Sequence, residues 1–581
     1  MINLLKILKL LTKKQINRSI FILILMIISA IMEVAGLGLI IPTIYLMAEP
    51  NYLNNYPFIL DTVNNIFSII GLETISKFSF SEVIIVFLIL LITILFFLKN
   101  ILLVFLQWFQ VNYVSKLSSE WQNILYSGYL KNSYNFYFNN SASKLLHNIN
   151  QSSVLSTGIN SFLIIVTDSI LIISLILFLI FLQPVETILT FVIFAISCVI
   201  LYSLIKGKIE TIGKKSHYYE GQRQSLTLDS FSGIREIKLN NKEDMFSEIF
   251  RKVNWLALKM GIYKAVISAI PRFWLETTFL ICLNIIVIVI FYTSDSILNS
   301  LQIIAVFAAA AFRIMPSSGR IMVNLNILKT NLPVSQIVQD EINNLENIKY
   351  KSVEKIDFEN KITIKDLKFK YEKDQSNVLE NINLEIKKKS IIGITGVSGS
   401  GKSTFLDLFI GLIIPDSGEI LADNKNIKSN IKGWQNKIGY VSQEVFLIND
   451  SFAKNISYEM DEKNIDYKKI NELIKILNLD KFINNLENKI HSNVGERGIK
   501  ISGGQMKRIS IARALYKNPS ILILDETLSS LDTETETKIM SEIKSIDQNL
   551  TIIIVSHRPG TLDLCDEVYR INNGNLNFNI K

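Results

Sequence analysis

GVSGSGKST, residues 396–404, is the stretch on which the reading of this chain turns. It fits G-x-x-x-x-G-K-[ST] over Gly396–Ser403, a loop whose glycines let backbone N–H groups close around phosphate. The apolar run SIIGIT before it predicts a strand. TFLDLFIGL after it predicts a helix whose N-terminal dipole favours an anion. Gly396, Val397, Ser398, Gly399, Ser400, Gly401, Lys402, Ser403 and Thr404 are therefore candidate ATP-binding residues, with Lys402 toward the β- and γ-phosphates and Ser403 toward Mg²⁺. Yet the same chain carries IFILILMIISAIMEVAGLGLIIPTIYLM at residues 20–47, a run suited to lipid.

The length, 581 residues, allows two or three domains. Nearly half the residues, 49%, are apolar and mean hydropathy is +0.32, a combination that points away from a wholly water-soluble chain. The long uncharged runs are confined to residues 1–330. The net charge of +8 sits largely in loops between those runs, where membrane topology accounts for it, so no nucleic-acid partner is expected. Three cysteines, Cys198, Cys282 and Cys565, have no metal-site or disulfide spacing.

A membrane-spanning helix needs roughly 20 apolar residues. Six segments qualify, about 20–47, 83–111, 162–182, 185–205, 262–292 and 297–325. The first is too long for a signal peptide, and the basic stretch before it has the pattern of a helix at the membrane surface. Lys6, Lys9, Lys13, Lys14 and Arg18 place the N-terminus in the cytoplasm, whereas loop 48–82, with Glu49, Asp61, Glu73 and Glu82 against Lys77, lies outside. Six crossings then leave both termini and the soluble half cytoplasmic. The long inner loops 112–161 and 206–261 suit helices that continue beyond the bilayer, and the outer loop has an apolar stripe, Ile59, Val63, Ile66, Phe67 and Ile70, at helical spacing. The expected fold is an all-α six-helix transmembrane domain over 1–330, a polar linker over 331–360, and an α/β P-loop NTPase domain over 361–581.

ILILDE, residues 521–526, ends a buried strand in two carboxylates. Asp525 suits a Mg²⁺ ligand, and Glu526 suits a general base for an attacking water. ISGGQMKR, residues 501–508, lies between the two motifs. With Tyr371, Gln443, SSLD at 529–532 and His557, it gives residues 361–581 a resemblance to the nucleotide-binding domain of ABC transporters; the six-helix half resembles the membrane domain of ABC exporters.

The resemblance implies that Tyr371 stacks on adenine and that Gln443 touches Mg²⁺ and the attacking water. It implies that Ser502, Gly503, Gly504 and Gln505 form the signature that meets γ-phosphate from an opposite subunit. Asp532 would lie at the dimer seam, His557 near γ-phosphate, and VGERG, 494–498, against the cytoplasmic loops. Ile501, Ser530 and Ser442 stand where leucine, alanine and proline are usual, and none removes a catalytic group. One P-loop and one signature per chain imply a homodimer, a second copy completing each site.

Charges inside membrane segments are expensive. Lys99, Arg272, Arg313 and Arg320 fall in or just below the inner half of the membrane, opposed by Glu33, Asp168 and Glu276. Arg313 and Arg320 share a helix face. These cations could bind an anionic headgroup, snorkel, or pair with the acids, Arg272 with Glu276 at i,i+4 for one. AIPRFWLETTF and FRIMPSSGRIMVNL also resemble segments of the bacterial lipid-linked oligosaccharide flippases that serve protein N-glycosylation. That implies an anionic polyprenyl-pyrophosphate-linked oligosaccharide moved outward across the inner membrane, with the four cations as substrate contacts. Other transport readings are export of peptides or hydrophobic drugs; a regulator or ATP-gated channel is a different class.

Overall fold

A backbone crossing lipid must satisfy its own N–H and C=O groups, which a helix does within one segment. The apolar runs form six long helices in the computed structural model, which describes residues 12–39, 42–43, 46–47, 80–293, 297–346, 356–371, 376–495, 498–526, 536, 539–543 and 548–578. They are α1 (Lys13–Gly38), α2 (Phe80–Leu130), α3 (Ala142–Leu182), α4 (Pro184–Ser232), α5 (Glu243–Thr293) and α6 (Ile297–Glu346). All six are long and apolar enough to cross a membrane. Helix α2 has 51 residues and so runs about 76 Å, more than twice the hydrocarbon thickness of a bilayer. Most of the long inner loops is thus helix, interrupted between α2 and α3 and between α4 and α5. Gln183 alone joins α3 to α4, with Pro184 at the first helical turn, where its missing N–H costs nothing. Phe97, Val104 and Trp108 form an exposed apolar face along α2, as lipid contact requires.

Two expectations change. The linker expected over 331–360 is helical as far as Glu346, the end of α6. Its Asn-rich composition has weak helix propensity, but Val338 and Ile342 bury one face and stabilise the helix by packing. The basic segment Lys13–Arg18 is continuous with α1, where Gln15 and Ser19 bond Glu120 and Tyr113 of α2. The outer stripe at 59–70, the rest of the N-terminal stretch, and Asp532 with its SSLD motif lie outside the described residues, as do Glu496 and Arg497 of VGERG.

The chain divides into two units, Met1–Asn132 with Asn140–Ile348, and Ser133–Asn139 with Lys349–Lys581. The second is an α/β unit with two sheets. One is antiparallel, in the order β2 (Leu379–Lys387), β1 (Lys361–Phe369), β4 (Ser417–Ala422), β5 (Lys425–Asn426). The other has six strands, β10 (Asn575–Phe578), β9 (Glu567–Asn572), β3 (Ile391–Thr395), β8 (Thr551–Val555), β7 (Ile521–Asp525), β6 (Ile438–Val441), parallel from β9 through β6. Its central strands are continuously apolar because both faces are covered. One core contains Phe452, Ile470 and Ile511; the other contains Phe405, Phe409 and Trp434, whose indole donates to the Phe409 carbonyl at 2.7 Å.

In the membrane unit, a Cβ on Gly213 of α4 would come within 2.6 Å of the Thr330 carbonyl oxygen of α6. Gly213→Ala is expected to cost about 1–3 kcal/mol through overpacking. Gly207→Ala, where nothing lies within 4 Å, should stabilise the helix by roughly 0.5–1 kcal/mol. Thermal unfolding of the two variants in detergent checks the contrast.

Candidate functional site

Parallel strands deliver their C-terminal ends to one edge of a sheet, where ligand chemistry gathers. Here β3 ends in the phosphate loop, β7 in Asp525 and Glu526, β8 two residues before His557, and β6 two before Gln443. Because β3, β8, β7 and β6 are consecutive neighbours, all four sets of residues emerge side by side.

The phosphate loop is built around close approaches. A Cβ on Gly396 would meet the Ile571 carbonyl oxygen at 2.3 Å, and one on Gly401 would meet the Leu379 side chain at 2.8 Å. Gly401, with φ of 103°, then begins α7 (Lys402–Ile410). Lys402 lies back over the loop, donating to the carbonyls of Gly396 at 2.8 Å and Val397 at 3.1 Å. The Ser400 hydroxyl is buried with no hydrogen-bond partner among the described residues. A phosphate in the loop would satisfy it. Val397, Ser398, Gly399 and Ser403 are exposed, whereas Thr404 is buried and its hydroxyl meets that of Tyr371 at 2.9 Å. The Tyr371 ring, half-exposed, packs edge-on against Phe369 and against Phe138 of the short helix Asn135–Phe138, which belongs to this unit.

The carboxylates are held differently. Asp525 is buried and accepts from the Tyr440 hydroxyl at 3.1 Å; burial raises its pKa above the usual carboxylate range. Glu526 has a φ of 47°, a conformation rare for a side chain with a Cβ, and its N–H donates to the Val555 carbonyl. Its Oε2 accepts from Gln443 Nε2 at 2.7 Å, and its Oε1 lies 3.0 Å from His557 Nε2. Lys507 Nζ donates to the Glu526 carbonyl at 3.3 Å, and burial lowers the pKa of that lysine. Gln443, Glu526 and His557 thus form one cluster. Ser403, Asp525 and Gln443 supply hard oxygen donors of the kind Mg²⁺ takes together with phosphate.

The signature residues have local work in this chain. Ser502 caps α8 (Gly503–Tyr516) by accepting from Gln505 N–H at 3.3 Å, and the Gln505 side chain accepts from Ser502 N–H at 2.9 Å. The two bond each other rather than the phosphate loop, and Gly503 stands exposed at the helix N-terminus. Sequence reasoning missed Tyr440 and Asp407. Tyr440 lies on β6 three residues before Gln443, in a register that pairs it with Ile523, two residues before Asp525 on β7, and Asp407 is a lone acid among the apolar residues of α7.

In the membrane unit the acids that oppose the basic residues are buried. Glu33 lies 2.6 Å from both Lys99 Nζ and Arg313 Nε. Asp168 takes two hydrogen bonds from Arg320, at 2.9 and 2.5 Å. Lys99 is 2% exposed, so its charge is spent on Glu33 in this conformation. Arg313 and Arg320 remain 42% and 54% exposed. Arg272 is exposed and pairs with neither Glu276 nor any other acid among the described residues.

Two family models match the chain, "ABC transporter" over residues 379–529 and "ABC transporter transmembrane region" over residues 57–317. The chain is built as an ABC exporter half-transporter. Its fold is that of a bacterial Atm1-family ABC exporter solved with ATP bound, with a TM-score of 0.77 at 18% identity, covering 97% of this chain and 94% of that one. Among relatives, ABC transporter B family member 29, chloroplastic, of Arabidopsis thaliana is 30% identical over 65% of this chain and 60% of its own length. An ATP-dependent lipid A-core flippase of Vibrio parahaemolyticus is 35% identical over 37% of each chain. A leukotoxin translocation ATP-binding protein of Mannheimia haemolytica is 37% identical over 37% of this half-transporter and 30% of its own length. The matches to these relatives thus span between 30% and 60% of the relatives' lengths.

The Asp407 carboxyl is pushed up to about 6 by burial and then by the nearby Asp525 charge, from 3.8 in the open chain. The folded state therefore holds this proton more tightly, and stability falls as pH rises from about 4 to 6. Asp407→Asn should raise the thermal midpoint of the nucleotide-binding unit above pH 6, with the gain fading to nothing near pH 4. Melting curves across that range, without Mg²⁺, check it.

Proposed function

We propose that this half-transporter is an ATP-driven flippase that pairs with a second copy of itself. It moves an anionic glycolipid, of the polyprenyl-pyrophosphate-linked oligosaccharide class, from the cytoplasmic to the outer leaflet of a bacterial inner membrane, in support of protein N-glycosylation. The observation that carries the anionic substrate is on α6, where two guanidiniums, one heptad apart, stand half-exposed over buried carboxylates. Guanidinium suits phosphate because its planar fork bonds two oxygens at once and keeps its charge. An apolar cavity of about 70 Å³ lies among α3, α4, α5 and α6, and Ala311 and Ile314 of its wall flank Arg313 in sequence. An amphiphile has use for both features. Toxin export is the other reading the relatives suggest, but no feature of the charged face favours a peptide.

In the nucleotide site, the P-loop amides, the Ser400 hydroxyl and Lys402 hold the phosphates, with Lys402 exchanging its loop carbonyls for phosphate oxygens. Tyr371 offers its ring to adenine. Ser403, Asp525 and Gln443 would hold Mg²⁺, which neutralises charge on the β- and γ-phosphates. Glu526 takes the proton from the attacking water. Both its oxygens are engaged in the resting site, so it must release Gln443 or His557 to reach that water. Gln443 then orients the water, and His557 turns to γ-phosphate. The exposed α8 N-terminus at Ser502 and Gly503 would face the nucleotide of the second copy.

Glu526→Gln should retain ATP binding and lose turnover by roughly 10²–10⁴-fold, the usual worth of a general base; near-normal steady-state hydrolysis would remove Glu526 from that role. For the substrate, Arg320→Lys should recover only part of the translocation lost in Arg320→Ala, because charge returns without the fork. The measurement is ATP-dependent movement of a polyprenyl-pyrophosphate-linked oligosaccharide in proteoliposomes. Normal movement by the Ala variant would mean that the Arg320–Asp168 pair serves packing alone.

A further inference from the structure

The two carboxylates beneath the arginines of α6 are bonded differently. Asp168 binds Arg320 through two aligned hydrogen bonds, and Arg320 gives a third to Ser317 at 3.0 Å. Glu33 is divided. Its Oε2 accepts a hydrogen bond from Lys99 Nζ at 2.6 Å, in a pair almost fully buried. Its Oε1 lies 2.6 Å from Arg313 Nε but makes no hydrogen bond among the described residues, so that contact is one of charge without alignment. Phe96 lies 4.5 Å from the Lys99 ammonium and 5.3 Å from the Arg313 guanidinium, offering its ring to both cations. A Cβ on Gly36 would approach that ring to 2.9 Å, so the glycine sets the place of Phe96.

We propose that Arg313 is a movable anion receptor and that Glu33 is its resting counter-ion, which a phosphate or pyrophosphate headgroup displaces. This inference rests on the anionic-lipid reading and adds to it which arginine moves and what it leaves behind. Glu33, Lys99 and Arg313 together carry one surplus positive charge. When Arg313 turns to a headgroup, Glu33 and Lys99 remain as a closed, hydrogen-bonded pair, and no buried charge is stranded. Arg320 has no such freedom. Asp168 has no other cation among the described residues, so the departure of Arg320 would leave a buried carboxylate alone. The guanidinium of Arg313 faces Glu33 through Nε, which leaves its terminal nitrogens to form the fork on phosphate. Glu33 therefore competes with the substrate, whereas Asp168 is a positioning residue that helps it by holding Arg320 in place.

The two carboxylates should respond to removal with opposite signs. In Glu33→Gln/Lys99→Met the buried pair goes together, so the net charge of the cluster is unchanged and no ammonium is left unpaired. Binding of polyprenyl pyrophosphate, with uncharged polyprenol as reference, is measured on the full-length protein in nanodiscs. A receptor held by its counter-ion binds more weakly by the fraction of time it is held. The paired variant should thus bind polyprenyl pyrophosphate more tightly, on the order of 10-fold. Asp168→Asn should bind it more weakly. The gain should vanish when Arg313→Gln is added. Glu33→Asp, which withdraws the carboxylate by one methylene, should show a smaller gain and serves if the paired variant does not assemble. Unchanged or weaker binding in the Glu33 variants, or a gain that persists without Arg313, overturns the exchange while leaving the anionic-lipid reading in place. Wild-type protein that prefers polyprenol, or makes no distinction, overturns both.

Discussion

An ion in an apolar interior must be neutralised within reach of its own side chain, and that constraint organises the membrane half of this protein. Glu33 on α1 and Asp168 on α3 are buried, and each reaches a cation on α6; Glu33 also reaches Lys99 on α2. Four helices are thereby tied at defined depths. Carboxylates of this kind are weak sources of net stability, because desolvation cancels much of the attraction. Their effect is to fix geometry. They hold Arg313 and Arg320 half-exposed on one face of α6, in a segment that otherwise reads as lipid-soluble.

The nucleotide-binding half solves a related problem with a sheet. Four neighbouring parallel strands bring the phosphate loop, the two carboxylates, His557 and Gln443 to one edge. The left-handed backbone at Glu526 turns its carboxylate away from the line of β7, where Gln443 and His557 hold both oxygens. Asp525 remains in the strand, buried against Tyr440. Adjacent acids thus receive different surroundings, one sealed and suited to a metal, the other accessible and suited to a proton. In both halves a charged group is held by a polar or charged partner, Glu526 by Gln443 and His557, Arg313 by Glu33.

The architecture was legible because lipid and phosphate leave strong local marks. A bilayer demands runs of apolar residues that no other environment demands, and a phosphate loop needs glycines where Gly396 and Gly401 admit no Cβ. The helical end of α6 was not legible, since its asparagines argue for a linker and only Val338 and Ile342, packed in three dimensions, argue otherwise. The depths of the membrane charges could be counted from the sequence, but their pairings could not. Lys99 has the same side chain whether it faces a substrate or is sealed against Glu33, and residues 66 positions apart meet only in the fold. Tyr440 and Asp407 escaped for the same reason, as each acquires its role from Asp525 on another element.

The proposed function requires coupling between a phosphate-bearing lipid and the ATP site. The most direct measurement is ATP hydrolysis by the full-length protein in nanodiscs that contain, in turn, a polyprenol, its monophosphate and its pyrophosphate. Hydrolysis that rises with headgroup charge, and most with the pyrophosphate, is the predicted result. Equal stimulation by the uncharged polyprenol, or stimulation only by a cationic or peptide substrate, would contradict it.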